Sequence, residues 1–199
     1  MIELITIEPS LMLGQKPDVP HIPIGGGWIA GGAVRGWFTG NEKLSDVDVF
    51  FSNNDLCIQY VENIKHAGYE QIGEHKNALT FSNGKVLLQC IIAKFYKDVN
   101  ELLDSFDYTV CQFAYDEKTI YSTPFALISV LRNHLGVHKL EGNVVDSLSR
   151  SFKYAKKGFY PCNGSLQKMA HALRGLTEQQ VNDAIQISPG GGISMIRFD

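Results

Sequence analysis

The chain has 199 residues, 44% hydrophobic and 20% charged, with a formal net charge of −3. That length suffices for one domain with a real core, or for a core plus a small helical appendage, and the charge excludes an overall basic field for nucleic acid while leaving room for a local patch. No apolar run approaches a membrane span and Met1-Ile2-Glu3 carries no basic leader, so a cytoplasmic protein with no membrane partner is expected.

Met1 to Ile7 alternates and predicts a short strand or an extended arm. Pro9 to Pro23 is proline-rich without a period and reads as an irregular lead-in. Ile22 to Ala30 ends in an apolar run, a strand that enters the Gly31-Gly32 turn. Val34 to Thr39 is a short helix and Leu44 to Ser52 the strand after it. Asn53-Asn54-Asp55 is an N-cap cluster for a helix over Leu56 to Ala67. Tyr69 to Ile72, Ala78 to Ser82 and Lys85 to Ala93 predict strands, the last two joined by a Ser82-Asn83-Gly84 hairpin turn. A short helix at Asn100 to Ser105 and a strand at Asp107 to Tyr115 follow. Helices are then expected at Phe125 to Leu135, Asp146 to Lys157, Ser165 to Leu173 and Glu178 to Ile187. Strands before about Tyr121 and helices after it predict an α+β fold: a mixed β-sheet flanked by helices over residues 1–123, and a C-terminal helical segment over 124–199 packed on or beside it. The four cysteines show no CxxC pairing, and Cys90 and Cys111 fall in apolar runs as buried free thiols.

Gly31 to Phe51 carries the chemistry. In a strand, Asp46 and Asp48 project to one side and Val47 and Val49 to the other. Paired carboxylates repel unless one protonates or a cation joins them, and hard oxygen ligands suit Mg²⁺ or Mn²⁺. Gly31 and Gly32 open a helix whose backbone can approach a phosphate, and Arg35 lies one turn in. The order of glycine pair, short helix and Asp-x-Asp strand resembles the DNA polymerase beta-like nucleotidyltransferase superfamily. The words Gly31-Gly32-Ala33-Val34-Arg35 are most similar to the head domain of the tRNA CCA-adding and poly(A) polymerase group, with Gly36 where that group has an aspartate.

The resemblance implies a third acidic residue on a neighbouring strand. The centre of the Lys85 to Ala93 strand is Gln89, so Asp107 is the next candidate; its alternative is a helix or turn cap. Further on, Arg150, Lys153 and Lys157 share a helix face, suited to a triphosphate or an RNA backbone, or simply to solvent. This segment is similar to the arginine-rich helix that follows the head domain in CCA-adding enzymes, with Lys153 for the usual second arginine. The likeness covers about Trp28 to Phe159. The base-reading motif of the CCA group is not found and the chain is too short for that group's body and tail, so base-specific CCA addition does not follow.

These readings imply transfer of an NMP from ATP or another NTP to an acceptor hydroxyl, with release of pyrophosphate. Asp46, Asp48 and Asp107 are the expected catalytic and metal-holding residues. Gly31, Gly32, Arg35, Arg150, Lys153 and Lys157 are the expected nucleotide-binding ones. The acceptor is an RNA 3′ end, or a protein hydroxyl in a toxin–antitoxin or phage-defence setting; Gln89 keeps a non-catalytic nucleotide-binding module open. His134 and His138, four apart on an expected helix, lack a third ligand and read as structural or surface residues.

Overall fold

Alternation along strand β3 (Val47–Phe51) decides the layering. Val47, Val49 and Phe51 are fully buried with Val34 and Trp37 of helix α1 (Gly32–Thr39) and Tyr60 and Ile64 of α2 (Asn54–His66). The intervening Phe50 packs on the other side with Trp28, Tyr96, and Leu102 and Leu103 of α3 (Val99–Asp104). The sheet therefore has α1 and α2 on one face and α3 on the other, and Asp48 shares the Phe50 side. The structure, a computed structural model, describes residues 2–41, 46–140 and 144–180.

Among the described residues eight strands form one sheet in the order β1-β8-β7-β2-β3-β6-β5-β4. These are β1 (Ile5–Ile7), β2 (Gly27–Ala30), β3, β4 (Glu70–His75), β5 (Ala78–Ser82), β6 (Leu87–Ile91), β7 (Phe113–Tyr115) and β8 (Ile120–Ser122). Neighbours run antiparallel except β3 and β6, which are parallel. This is the expected mixed α+β architecture. Helices α4 (Pro124–Leu131), α5 (Val144–Lys156) and α6 (Asn163–Arg174) follow the sheet. A further apolar cluster joins Tyr108, Val110 and Cys111 to Leu135, Val137, Phe159 and Met169. No described helix is long and apolar enough to cross a membrane.

Two expectations need correction. Asp107 to Tyr115 is not one strand: Thr109–Cys111 forms a 3₁₀ turn and pairing begins at Phe113. The Thr109 hydroxyl contacts Ser129 Oγ at 2.7 Å and donates to the Gly136 carbonyl, pulling that stretch toward the later chain. The helix expected through Leu135 stops at Leu131, because Asn133 takes a left-handed backbone with φ 52°. Strand β8 has no sequence period long enough to read. The start of the expected 44–52 strand and most of the expected 178–187 helix lie outside the described residues.

Candidate active site

Gly31 sits at φ 80°, ψ −133°, backbone that a side chain tolerates poorly, and its N–H donates to the Phe113 carbonyl at 2.9 Å. The chain can thus leave β2 and start α1 at once. That N–H is committed to the sheet and does not face a ligand. Gly32, the first helical residue, lines a cavity of about 550 Å³ together with Asp46, Trp37, Lys16 and Lys157.

Asp46 leads into β3. Asp48 lies in register with Ala30 on β2 and with Gln89 on β6. It opens onto a second cavity of about 700 Å³, lined also by Gln89, Asp107, Ser147 and Arg150. The Asp-x-Asp pair therefore links two cavities. Burial, then the neighbouring Asp46 charge, pushes the Asp48 carboxyl up to about 7, with Lys153 opposing. Two carboxylates two residues apart on one strand match the donor set of a hard divalent cation.

The expected three-carboxylate cluster does not form. Gln89 occupies the strand position beside Asp48, and its amide cannot supply a negative charge. Asp107 shares the second cavity but is only 8% exposed and its Oδ2 lies 2.7 Å from Arg150 Nη2. That contact is an ion pair without hydrogen-bond alignment. Burial holds the Asp107 carboxyl above its ordinary range even against the Arg150 charge. Among the described residues no three His, Cys, Asp or Glu side chains gather around a point where a metal could sit.

Arg35 is also placed differently from expectation. It is fully buried, donates from Nη1 to the Val110 carbonyl at 2.9 Å, and lies between the rings of Tyr154 and Phe159 at 5.5 and 5.2 Å. A guanidinium so enclosed fastens α1 to the 109–111 turn and the C-terminal helices. The basic face of α5 divides: Arg150 takes Asp107, Lys153 acts on Asp48, and Lys157, just beyond the helix, lines the Gly32–Asp46 cavity. The residues that sequence reasoning missed are Leu13 to Lys16 and Asp18, which form a wall of that cavity. Nothing in a proline-rich, aperiodic stretch signals such a wall.

His134 and His138 do not share a helix. His138 Nε2 meets Asp104 Oδ1 at 2.9 Å, and His134 lies near Cys162, the N-cap of α6. Cys57, Cys90 and Cys111 are buried and free, whereas Cys162 is exposed. The Ser165 amide and hydroxyl, aided by His134, hold the Cys162 thiol down at about 6. Iodoacetamide should therefore modify Cys162 in the folded protein with half-maximal rate near pH 6, the other three thiols reacting only after denaturation. Mass spectrometry across pH 5 to 9 checks this; a midpoint near the ordinary thiol range of about 8.5 would refute it.

The sheet, its flanking helices and the Asp-x-Asp strand define a nucleotidyltransferase-like fold. The chain superposes on a CCA-adding enzyme in complex with CTP with TM-score 0.60, over 81% of this chain and 43% of that one, at 15% identity. A Thermotoga maritima CCA-adding enzyme complexed with tRNA gives TM-score 0.59 over 80% and 42% at 15% identity. A tRNA nucleotidyltransferase with a primer tRNA and an incoming ATP analogue gives 0.58 over 81% and 52%, also at 15%. At these identities the likeness is one of fold. Within that fold, the chain belongs to the Gabija anti-defense 2 family, whose profile matches residues 15–132. A curated relative, Gabija anti-defense 2 of Bacillus phage SPbetaL7, is 33% identical over 91 residues, 46% of this chain and 22% of its own length. The chain thus spans about a fifth of that relative.

Proposed function

We propose that this protein is a metal-dependent nucleotidyltransferase acting against a Gabija-type defence: it moves an NMP from ATP or another NTP to an acceptor hydroxyl and releases pyrophosphate. The observation that carries this reading is the Asp46–Asp48 pair placed between a cavity bearing Gly32 and Lys157 and a second cavity bearing Asp107 and Arg150. Asp46 and Asp48 would hold Mg²⁺ or Mn²⁺, whose charge when bound offsets that developing on the phosphates. Gly32, at the N-terminus of α1, and Lys157 face the triphosphate, where fixed positive potential stabilises the leaving pyrophosphate. Lys153 adds its charge beside Asp48.

The acceptor approaches from the second cavity. Asp107, its charge balanced by Arg150, orients the acceptor hydroxyl and accepts its proton. The oxygen then bonds to the α-phosphorus as the bond to the bridging oxygen breaks. Gln89 positions the acceptor by hydrogen bonding and takes no proton.

The anti-defence family name favours a protein hydroxyl of the defence system as the acceptor. A second reading, an RNA 3′ end, is favoured by the similarity of the Gly31 to Arg35 run and of α5 to the CCA-adding group. Incubation with each α-³²P NTP and Mg²⁺, in lysates of cells with and without a Gabija system and with total tRNA, separates them. Label on a polypeptide only where Gabija is present supports the first; label on tRNA supports the second. Nucleotide binding without any label would leave a binding module and overturn transfer.

A further inference from the structure

Glu117 is an outlier that the proposed chemistry does not use. It follows β7 in the turn to β8 and adopts φ 79°, a conformation that glycine or asparagine takes at much lower cost. The turn does not need a glutamate for its own sake, because Asp116 Oδ1 already accepts from the Lys118 and Thr119 amides. Strain kept at such a site points to a use for the side chain.

That use is visible in the contacts. The Glu117 side chain is 10% exposed. Oε1 accepts from the Ile22 amide at 2.9 Å, while Oε2 meets Lys16 Nζ and His21 Nδ1, each at 3.1 Å. Lys16 Nζ also stands 4.9 Å over the Tyr115 ring, which packs edge-on against Trp37 at 5.1 Å. One carboxylate thus grips a segment nearly a hundred residues away in sequence, at both ends of the run from Lys16 to Ile22. The other end of that segment lies on α1: the Gly14 amide donates to the Trp37 carbonyl at 2.8 Å. A Cβ at Gly14 would come within 3.0 Å of the Gly36 and Trp37 carbonyl oxygens, so the strap runs flush against the helix. Between these anchors, Leu13 to Lys16 and Asp18 wall the cavity that Gly32, Asp46 and Lys157 line from the other side. Burial raises the Glu117 carboxyl, but the contacts with the Ile22 amide, Lys16 and His21 together outweigh it and lower the carboxyl below its ordinary range.

We infer that Glu117 is a positioning residue for nucleotide binding: its carboxylate fixes the 13–22 strap as the outer wall of the Gly32–Asp46–Lys157 cavity. This rests on the nucleotidyltransferase reading of that cavity. It assigns Glu117 no contact with substrate. The strap sets how closely the cavity surrounds the phosphates, so loosening it should weaken NTP binding far more than it slows bound NTP.

The test compares wild type, Glu117→Gly and Glu117→Gln, reading affinity for a fluorescent ATP analogue, the KM and kcat for NTP, and hydrogen exchange of the 13–22 amides. Glycine relieves the φ while removing the grip; glutamine keeps the shape and the Ile22 acceptor. Expected are about tenfold weaker binding and higher KM in Glu117→Gly with kcat within about twofold, faster exchange confined to 13–22, and an intermediate glutamine variant. Wild-type affinity and unchanged strap exchange in Glu117→Gly would overturn the inference alone. A wild-type chain that binds no nucleotide would sink the reading of the cavity, and this inference with it.

Discussion

Asp48→Asn is expected to reduce NMP transfer by about 10³-fold or more, since the pair would lose one of its two metal-holding charges. The same substitution should make the metal-free protein more stable at neutral pH. In the folded chain the Asp48 carboxyl titrates at about 7, against 3.8 for an ordinary aspartate. A raised acid contributes its full share of stability below about pH 4, where both states are protonated, and that share is lost as pH rises through about 7. The shift corresponds to at most about 4 kcal/mol, discounted to ~2 kcal/mol because the side chain is partly open to solvent. Thermal unfolding in EDTA should therefore show Asp48→Asn above wild type at pH 8 and level with it near pH 4. Adding Mg²⁺ should close the gap at pH 8 by stabilising only wild type. A variant that is less stable at pH 8, or that retains transfer, would contradict the assignment of Asp48.

Arg35→Ala is the second large effect, and it falls on stability. The change strands the Val110 carbonyl and empties a volume enclosed by Tyr154 and Phe159. Loss of a buried charge-assisted hydrogen bond plus a cavity costs about 3–5 kcal/mol. At this chain length that lowers the unfolding midpoint by roughly 10 °C. Arg35→Lys should recover little, because an ammonium cannot keep the planar contact with both rings. Calorimetry reads the result. A midpoint unchanged from wild type, with nucleotide affinity lost instead, would return Arg35 to the phosphate role that its position on α1 suggests.

Arg35 also shows where sequence reasoning stops. Its place one turn after Gly31-Gly32 is legible, but whether it faces a ligand or the interior depends on what packs over α1. The cover comes from Val110 and from Tyr154 and Phe159, far along the chain. Periodicity did reveal the layering, because Val47, Val49 and Phe51 alternate with Asp48 and Phe50 across a sheet covered on both faces. Gln89 stood out only through the family resemblance, as the centre of the strand expected to carry a third carboxylate; its register beside Asp48 is set by the parallel β3–β6 pair. Asp107 was legible as an acidic residue near the site but not as the partner of Arg150. The strap was not legible at all: its order comes from Glu117 and from close backbone approach to α1, and neither leaves a pattern in residues 13–22.

The most direct test of the central claim is to follow α-³²P and γ-³²P ATP and the other NTPs in parallel with Mg²⁺ and a lysate of Gabija-bearing cells, beside the Asp46→Ala/Asp48→Ala variant. The expected result is α-label fixed on a macromolecule, γ-label released as pyrophosphate, and neither event in the variant. Fixation of the γ-label, or α-label incorporation that survives loss of both aspartates, would contradict it.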